Sequence, residues 1–436
     1  MKALLLKVWD RLRSSFWFVP AAMAFLAAAL ALCAVAVDRA VADDWLQRLG
    51  WSYSGGAEGA SLLLGTVAGS MIAIAGTVFS MTLVAMSLAS SQLGPRLLRN
   101  FMRDTANQVV LGTFVATFVY CLLVLRTIRR TDEVGFVPHL SVSIGVLIYF
   151  IHHVSVSIQA DEVIAHVGRE LEDGIDRLFP GHLGQPGSES SGSLNAAELP
   201  AAFAREARPV GAAEDGYLQL IDGDALMALA SREDLLLRLE RRPGHYLVKG
   251  QAMVMVWPAG RVTEALADQL NDAFVFGNQR TATQDVEFSL RQLVEIAVRA
   301  LSPGINDPST AIACVDRLGS ALCRLARRDA PSPLRYDDER RLRLVAPGST
   351  FAGIVDAAFN QIRQSARSNP AVAIRMLDVI AQIAGHVQHT RDAACLQRHA
   401  GMIVRGAREA VPEAEDRLAV EARFTAADQV LRSLHG

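Results

Sequence analysis

Four long apolar segments in about the first third of the chain constrain its fold more than any other feature of the sequence. They run from Phe16 to Val37, from Ser61 to about Ser90, from Val109 to Leu125 and from Leu140 to about Ile158. An α-helix needs roughly 20 apolar residues to cross the hydrocarbon core of a bilayer. The sequence therefore predicts a domain of four transmembrane helices over residues 1–158, embedded in the lipid bilayer.

Basic residues near the ends of these segments predict their orientation, because cytoplasmic loops carry an excess of Lys and Arg. The relevant residues are Lys2, Lys7, Arg11 and Arg13 before the first segment, and Arg96, Arg99 and Arg103 after the second. The loop between these two segments is acidic by comparison. We therefore expect a multi-pass protein of the bacterial inner membrane, with the N-terminus and the long C-terminal region in the cytoplasm.

The second apolar segment has one face of small and hydroxyl-bearing residues. At 100° per residue, this face collects Thr66, Gly69, Ser70, Ala73, Thr77, Ser80 and Ser87. Such a face is typical of a close helix–helix seam, because small side chains let two backbones approach each other. Its second interpretation is the polar lining of a pore, formed when several copies of the chain assemble.

A helical pattern continues beyond the fourth segment and predicts a cytoplasmic stalk helix over residues 159–180. His152, His153 and His166 lie in or near this region. Histidine titrates near neutral pH, so these residues are candidates for pH sensing. The alternative is that they are ordinary polar side chains at the boundary between membrane and water.

The remaining sequence predicts a cytoplasmic α+β region. Residues 181–200 are rich in Gly, Ser and Pro and predict a flexible linker. Residues 201–260 contain short alternating runs between turns, which predict a small β-barrel or sandwich. Residues 261–436 follow helical apolar spacing, with "RRLRLVA" as a candidate strand. The predicted fold class is thus a membrane α-helical domain followed by a β domain and a helical domain.

The stretch "LSPGINDPST" separates two of the predicted helices. Its Pro-Gly pair favours a turn, and Asp307 before Pro308 is typical of the start of a helix. A helix N-terminus also attracts anions, and arginines lie nearby in the sequence. The stretch is therefore either a structural corner or a ligand site, with candidate residues Arg280, Arg291, Pro303, Gly304, Asn306 and Asp307.

Composition argues against several classes of function. The net charge of −2 gives no indication of a nucleic-acid partner. The five cysteines form no CxxC pair and no Cys/His spacing typical of zinc sites. We recognise no nucleophile–base pair and no phosphate-binding loop. We therefore expect neither an enzyme nor a bound cofactor.

Several motifs in combination resemble one family. They are "TVFSMTLVAMSLASSQLGPRLLRNFMRD", "FIHHVSVSIQ", "DGYLQLID" and "DVEFSLRQLVEIAVRALSPGINDPSTA". Together they resemble the signature of domain of unknown function 2254, a bacterial family of predicted membrane proteins. The resemblance covers most of the chain. It implies an integral inner-membrane protein with a cytoplasmic domain, and it carries over no activity and no catalytic residues.

Two hypotheses about function follow from these patterns. The first is an oligomeric, channel-like protein for a small solute, controlled by its cytoplasmic domain, because the second segment has a polar face. The alternative is a membrane-anchored sensor or scaffold, whose cytoplasmic domain binds a protein or a small anion. The expected partners are therefore the lipid bilayer, further copies of the chain and a cytoplasmic protein or anion.

Overall fold

A computed structural model describes residues 17–40, 56–93, 105–131, 160–179 and 199–433 of the protein. The chain divides into two compact units, Met1–Glu162 and Val163–Gly436. The first is helical in its described part. The second combines helices with two β-sheets, as expected for a mixed α+β region.

The first unit contains the helices α1 (Phe18–Ala40), α2 (Gly56–Leu93) and α3 (Thr105–Thr131). Helix α3 packs against both α1 and α2. The face of α2 that packs inward carries apolar residues at helical spacing, the large Leu64, Val67, Met71 and Val78 together with the small Ala68 and Ala75. Phe114 on α3 is fully buried in the same core, so apolar bulk holds these helices together.

Among the described residues of this unit, two stretches are long and apolar enough to cross a membrane, Ser61–Val84 in α2 and Asn107–Arg126 in α3. They coincide with the second and third predicted spans. The apolar part of α1, Phe18–Cys33, is shorter. The fourth predicted span, together with His152 and His153, lies outside the described residues, as does almost all of the predicted linker.

The strands of the second unit are β1 (Arg208–Gly211), β2 (Gly216–Ile221), β3 (Leu236–Leu239), β4 (Tyr246–Leu247), β5 (Ala252–Trp257), β6 (Phe274–Gly277), β7 (Leu334–Tyr336) and β8 (Leu342–Val345). One sheet has the order β1-β5-β3-β8-β7, and the other has the order β4-β2-β6. Both sheets contribute to one hydrophobic core, which includes Leu237 and Val254 from the first and Leu218 and Phe276 from the second.

The sheets recruit strands from beyond residue 260, where the sequence predicted an almost entirely helical domain. Strand β8 lies within the candidate strand "RRLRLVA" and pairs in parallel with β3, with Leu344 opposite Leu237. Its side chains alternate between two apolar environments. Leu344 points into the core between the sheets, whereas Val345 packs with Phe203 and Leu236 on the other face. Burial on both faces explains why this short run forms a strand.

The helices of the second unit are α4 (Ala160–Leu178, which begins in the first unit), α5 (Phe203–Glu206), α6 (Gly223–Arg232), α7 (Glu264–Asn271), α8 (Val286–Ala300), α9 (Pro308–Ala326), α10 (Phe351–Ser365), α11 (Pro370–Ala384), α12 (Thr390–Ala410) and α13 (Ala414–Ser433). Helices α8 to α13 pack on one another. Side chains of Asp285, Asp307, Thr350 and Asn369 cap four of them by accepting backbone N–H bonds, which satisfies donors that a helix end leaves unpaired.

Helix α4 is bound to α9 by charged contacts. Arg324 forms salt bridges with Glu172 and Asp176 on α4, at 3.1 and 2.8 Å. Arg328 also pairs with Asp176, and its guanidinium donates to the carbonyl of Phe179. The apolar face of α4 is buried, including Val167 and Leu171. The C-terminal part of α4 is thus an integral part of the second unit.

Candidate functional site

A tight turn between β3 and β4 carries a group of basic side chains. Its sequence is "RRPGH", from Arg241 to His245. Gly244 has a φ of +91°, and a Cβ at this position would lie 2.3 Å from Oδ2 of Asp285 and 2.9 Å from Nη2 of Arg280. Glycine is therefore required at position 244 for two reasons. It tolerates the left-handed backbone conformation, and it has no Cβ to clash with Asp285 and Arg280. The turn brings Arg242 and His245 next to the start of α8.

The start of α8 supplies two buried carboxylates that face these bases. Glu287 receives Arg242 Nη2 at Oε1, at 2.6 Å, and Arg291 Nη2 at Oε2, at 2.9 Å. Asp285 caps α8 and pairs with Arg280 Nη2 at 2.6 Å. Pairing and hydrogen bonding are what make a buried carboxylate tolerable. The two acids therefore anchor three of the four guanidinium groups in this region.

A cavity of about 250 Å³ opens beside this cluster. One wall is formed by Glu240, Arg241, Arg242 and His245, and the other by Pro347, Gly348, Thr350 and Gly353. The second wall is the N-terminus of α10, where the Thr350 hydroxyl accepts the Gly353 amide at 3.1 Å. The start of a helix carries partial positive charge. Both walls of the cavity therefore favour an anion.

Arg241 and His245 have polar atoms in this region without a protein partner. Within the described part of the chain, Arg241 forms no ion pair, and its buried Nε has no hydrogen-bond acceptor. Nε2 of His245 accepts from Nε of Arg242 at 3.4 Å, which assigns the imidazole proton to Nδ1. That Nδ1 is buried and also has no acceptor among the described residues. Buried donors of this kind are costly unless something accepts from them.

The electrostatics of the cavity keep His245 neutral. Burial lowers the pKa of His245, and the Arg242 and Arg241 guanidinium groups lower it further. The acid that lines the cavity, Glu240, is paired with Arg238 at 2.7 Å. An incoming anion would therefore meet the uncommitted Arg241, the Nδ1–H of His245 and the start of α10.

The predicted ligand corner is divided by the structure. Arg280 and Arg291 belong to the basic cluster at the start of α8, whereas Asn306 and Asp307 follow its end. At 1.5 Å per residue, α8 rises by roughly 20 Å from its start to its end, and by roughly 14 Å from Arg291 to its end. Arg280 and Arg291 thus belong to one place and the "PGIND" turn to another.

The carboxylate of Asp307 in the "PGIND" turn accepts hydrogen bonds from the start of α9. Asp307 caps α9 by accepting from the Thr310 amide at 3.1 Å and from its hydroxyl at 2.6 Å. These bonds also hold the pKa of Asp307 below its usual value. Asn306 adopts a φ of +49°, and Pro303 and Gly304 are exposed. The polar groups of Asp307 are thus used by the helix start.

The small-residue face of α2 is exposed. The side chains of Thr66, Gly69, Ser70, Ala73, Thr77, Ser80 and Ser87 all lie on the open side of the helix. A Cβ added at Gly65, Gly69 or Gly76 would meet no atom within 4 Å. Hydroxyls on this face bond back to α2 itself, as Ser70 Oγ does to the Thr66 carbonyl at 2.8 Å. The seam between α2 and α3 uses the opposite, bulky face.

His166, the described member of the three candidate histidines, is exposed on α4. The structure instead draws attention to His245, which the sequence analysis did not select. The sequence signal for it was present, since "RRPGH" places two arginines and a histidine around a tight turn. On its own the "RRPGH" motif predicts only a turn. The acidic partners of its arginines are distant in the sequence, as Glu287 is from Arg242, at a separation of 45 residues.

Two helices long and apolar enough to cross a membrane in one unit, and an α+β arrangement in the other, are the features of a membrane protein with a second folded unit. The chain belongs to the family described as predicted membrane protein DUF2254, whose model matches residues 13–382. It is 32% identical over 379 residues to the uncharacterized protein Rv1290c of Mycobacterium tuberculosis, covering 84% of this chain and 71% of the relative. The same values hold for the uncharacterized protein Mb1321c of Mycobacterium bovis. No solved structure matches the chain.

Proposed function

We propose that this protein is a membrane-anchored receptor for a small oxyanion, which binds in the cavity between the "RRPGH" turn and the start of α10. The observation that carries the proposal is the pair of uncommitted donors at this cavity, the guanidinium of Arg241 and Nδ1–H of His245. Both are basic or donating groups without an acceptor in the described chain. A helix start on the facing wall completes an environment that favours negative charge.

The size of the cavity indicates the size of the ligand. Pockets for drug-sized molecules measure roughly 300–1,000 Å³, and this one measures about 250 Å³. A phosphate or sulfate group fits this scale. Guanidinium groups form paired hydrogen bonds with such oxyanions, and a neutral imidazole adds one directed donor. The proposed ligand class is therefore a phosphate-like oxyanion, free or at the end of a small molecule.

Contacts around α4 connect this region to the rest of the second unit. Nη2 of Arg177, near the end of α4, donates to the carbonyl of Ala282 at 2.9 Å. Ala282 lies in the loop that also contains Arg280 and Asp285, the pair packed against Gly244. A ligand that reorders the "RRPGH" turn would act on this loop and thereby on α4. Because the chain enters the second unit through α4, this helix is the proposed route of the signal toward the membrane.

The orientation of the receptor follows from the charge of the predicted loops. The basic residues before the first span and after the second support an N-terminus in the cytoplasm. With four spans, the second unit would also lie in the cytoplasm of a bacterial inner membrane. In this arrangement the oxyanion is sensed from inside the cell.

The experiment that tests the proposal measures stabilisation of the full-length protein in detergent by inorganic phosphate and by sulfate, at constant ionic strength against chloride. We expect both oxyanions to raise the melting temperature of the wild type by mass action. In Arg241→Gln the binding should weaken roughly 10- to 100-fold, since a hydrogen bond to a charged group contributes about 1.5–3 kcal/mol.

Arg232→Gln is the matched control, because Arg232 is an exposed arginine of the same unit, paired with Glu233. It should respond to phosphate like the wild type. Without ligand, Arg241→Gln should melt close to the wild type, because Arg241 has no ion pair to lose. Equal stabilisation of all three proteins by phosphate would contradict a site at this cavity.

A second candidate function, solute permeation by an oligomer, is favoured by the exposed face of α2. Its hydroxyl-bearing residues are open in the single chain, and an assembly of copies would turn such a face toward either a seam or a water-filled path. We expect ion flux into proteoliposomes to fall when Ser70, Thr77 and Ser80 are all replaced by leucine, because the path would lose its polar lining.

The control for this flux experiment changes exposed apolar positions of the same helix, with Leu63→Ile, Ile72→Leu and Val84→Leu. These residues are also open in the single chain, but their substitution leaves polarity unchanged. Flux that is the same in both triple variants would indicate that the small-residue face does not line a path.

A further inference from the structure

A cluster of three potential metal ligands lies between α10 and α12, apart from the oxyanion cavity. Cys395 and His399 are four residues apart on α12, which places both side chains on one face of the helix. Asp356 on α10 lies opposite them. One ligand atom from each residue, the thiol sulfur, an imidazole nitrogen and a carboxylate oxygen, lies within 4.8 Å of the other two.

Two of the three ligands are buried, whereas the side chain of Asp356 is 37% exposed. His399 is fully buried, and Cys395 is 7% exposed. Nε2 of His399 lies 2.7 Å from Oδ1 of Asp356, and the ring of Phe359 packs edge-on against the imidazole. Nδ1 of His399 is buried without a partner among the described residues. The imidazole is thus fixed in position by packing, and only its Nε2 edge is engaged.

We infer that Asp356, Cys395 and His399 form a binding site for a zinc ion. Thiolate, imidazole and carboxylate are the three ligand types that zinc takes in proteins, at about 2.0–2.3 Å from the metal. In a tetrahedral site such ligand atoms lie roughly 3.3–3.8 Å apart. The 2.7 Å between Nε2 of His399 and Oδ1 of Asp356 would therefore widen by roughly 0.6 Å, and separations of up to 4.8 Å would shrink by about 1 Å, which small side-chain rotations supply. Three protein ligands leave a fourth position for water.

Arg398 contacts two of the proposed ligand atoms in the absence of a metal. Its Nη2 lies 2.7 Å from Oδ1 of Asp356 and 3.6 Å from Sγ of Cys395, two of the proposed ligand atoms. The Arg398 side chain is 53% exposed, so it can move into solvent without loss of core packing. The guanidinium and the metal are thus alternative cations for the same carboxylate and the same thiol.

Because Arg398 and zinc compete for the same atoms, removing a ligand and removing Arg398 should change the zinc affinity in opposite directions. The full-length protein in detergent is first treated with a chelator, and zinc is then titrated against a chromogenic competitor. Cys395→Ser and Asp356→Asn each remove a ligand, so affinity should fall by more than the roughly 10- to 100-fold typical of losing an outer partner. Arg398→Gln removes the competing cation, so affinity should rise, by about 10-fold on the same scale.

Cys323→Ser is the matched control, because Cys323 is a half-buried thiol on α9 outside the cluster, and zinc affinity should stay that of the wild type. Cobalt added to the wild type should give the near-ultraviolet band of a thiolate ligand, and Cys395→Ser should lack it. This spectrum reports the site even if a variant melts early. The inference is overturned if Cys395→Ser binds zinc like the wild type, or if Arg398→Gln leaves the affinity unchanged.

Discussion

Replacing Arg242 with methionine is expected to destabilise the region around α8 by about 3 kcal/mol, the lower end of the range for breaking a buried ion pair. The cost arises because the buried Glu287 loses one of its two cationic partners. Glu287 is 7% exposed on its side chain and holds Arg242 at 2.6 Å. Without Arg242 it keeps only Arg291, whose side chain is 39% exposed. Methionine retains much of the apolar stem, so the loss reports the polar contacts of Arg242, which include hydrogen bonds to His245 and Ser349, rather than its packing.

The measurement is hydrogen exchange of the α8 amides in the full-length protein, which gives the free energy of local opening. Arg232→Met is the control, because Arg232 and Glu233 are exposed at 60% and 45%. Exposed pairs contribute only about 0–1 kcal/mol. If both variants change exchange by the same small amount, the Arg242–Glu287 pair does not hold the turn to α8.

The same variant should change the response to acid. Burial raises the pKa of Glu287, but Arg242 and Arg291 outweigh burial and leave it below its usual value. A carboxyl with a lowered folded-state pKa contributes stability above its unfolded pKa, and this stability is lost as pH falls through the folded pKa. Removing Arg242 lets burial prevail and raises the pKa of Glu287, so this acid-labile contribution is lost. We therefore expect the stability difference between Arg242→Met and the wild type to be largest near neutral pH and to shrink as pH falls.

Asp285 acts in the opposite sense. Burial raises its pKa above the usual value, although Arg280 opposes this. The stability linked to its raised pKa is present below the unfolded pKa and is lost as pH rises through the folded pKa. The pH dependences that Glu287 and Asp285 give to the stability therefore partly cancel. The effect of Glu287 is best measured as the difference in stability between Arg242→Met and the wild type at each pH.

Replacing Gly244 with alanine should disturb the same region through backbone and space. A left-handed conformation costs a residue with a Cβ roughly 1–2 kcal/mol, and Gly244 has a φ of +91°. The new methyl would also lie 2.3 Å from Oδ2 of Asp285, so the Arg280–Asp285 pair must move. Overpacking of this kind costs about 1–3 kcal/mol more. The expected total is about 2–5 kcal/mol.

Gly250→Ala separates the cost of the left-handed backbone from the cost of the clash with Asp285. Gly250 has a φ of +83°, and a Cβ there meets no atom within 4 Å, so this variant has the conformational cost alone. The difference between the two variants in thermal melting measures the cost of displacing the Arg280–Asp285 pair. If Gly250→Ala is as destabilising as Gly244→Ala, the close approach of the turn to α8 contributes nothing.

The predictions for Arg242→Met and Gly244→Ala concern residues that position the "RRPGH" turn, which we call the frame of the site, and not the proposed ligand contacts. Arg242 and Gly244 position the turn, whereas Arg241 and His245 supply the uncommitted donors. Variants of the frame should therefore lose stability with or without phosphate. A variant at Arg241 should lose only the response to phosphate.

Some features of the small-residue face on α2 were visible in the sequence, and others were not. Helical periodicity alone grouped Thr66, Ser70 and Thr77 on one side. It did not show which side of α2 packs against another helix, because both sides are apolar enough to face lipid. The structure shows that the bulky side packs on α3. Cys395 and His399 are spaced to share one face of a helix, but their third partner, Asp356, lies on another element, so the sequence does not indicate the cluster.

The sequence by itself determined the two apolar segments that the structure forms as membrane-length helices, the start of α9 at Asp307, and the family to which the chain belongs. These properties depend on runs of residues, on apolar length and on caps such as Asp307, which act within a few positions along the chain. Only the tertiary structure decided that Arg242 meets Glu287, that β8 completes a sheet begun by β1, and that the start of α10 closes a cavity beside His245. Such contacts join residues up to about 107 positions apart, as for Arg242 and Ser349, and local patterns carry no information about partners at that distance.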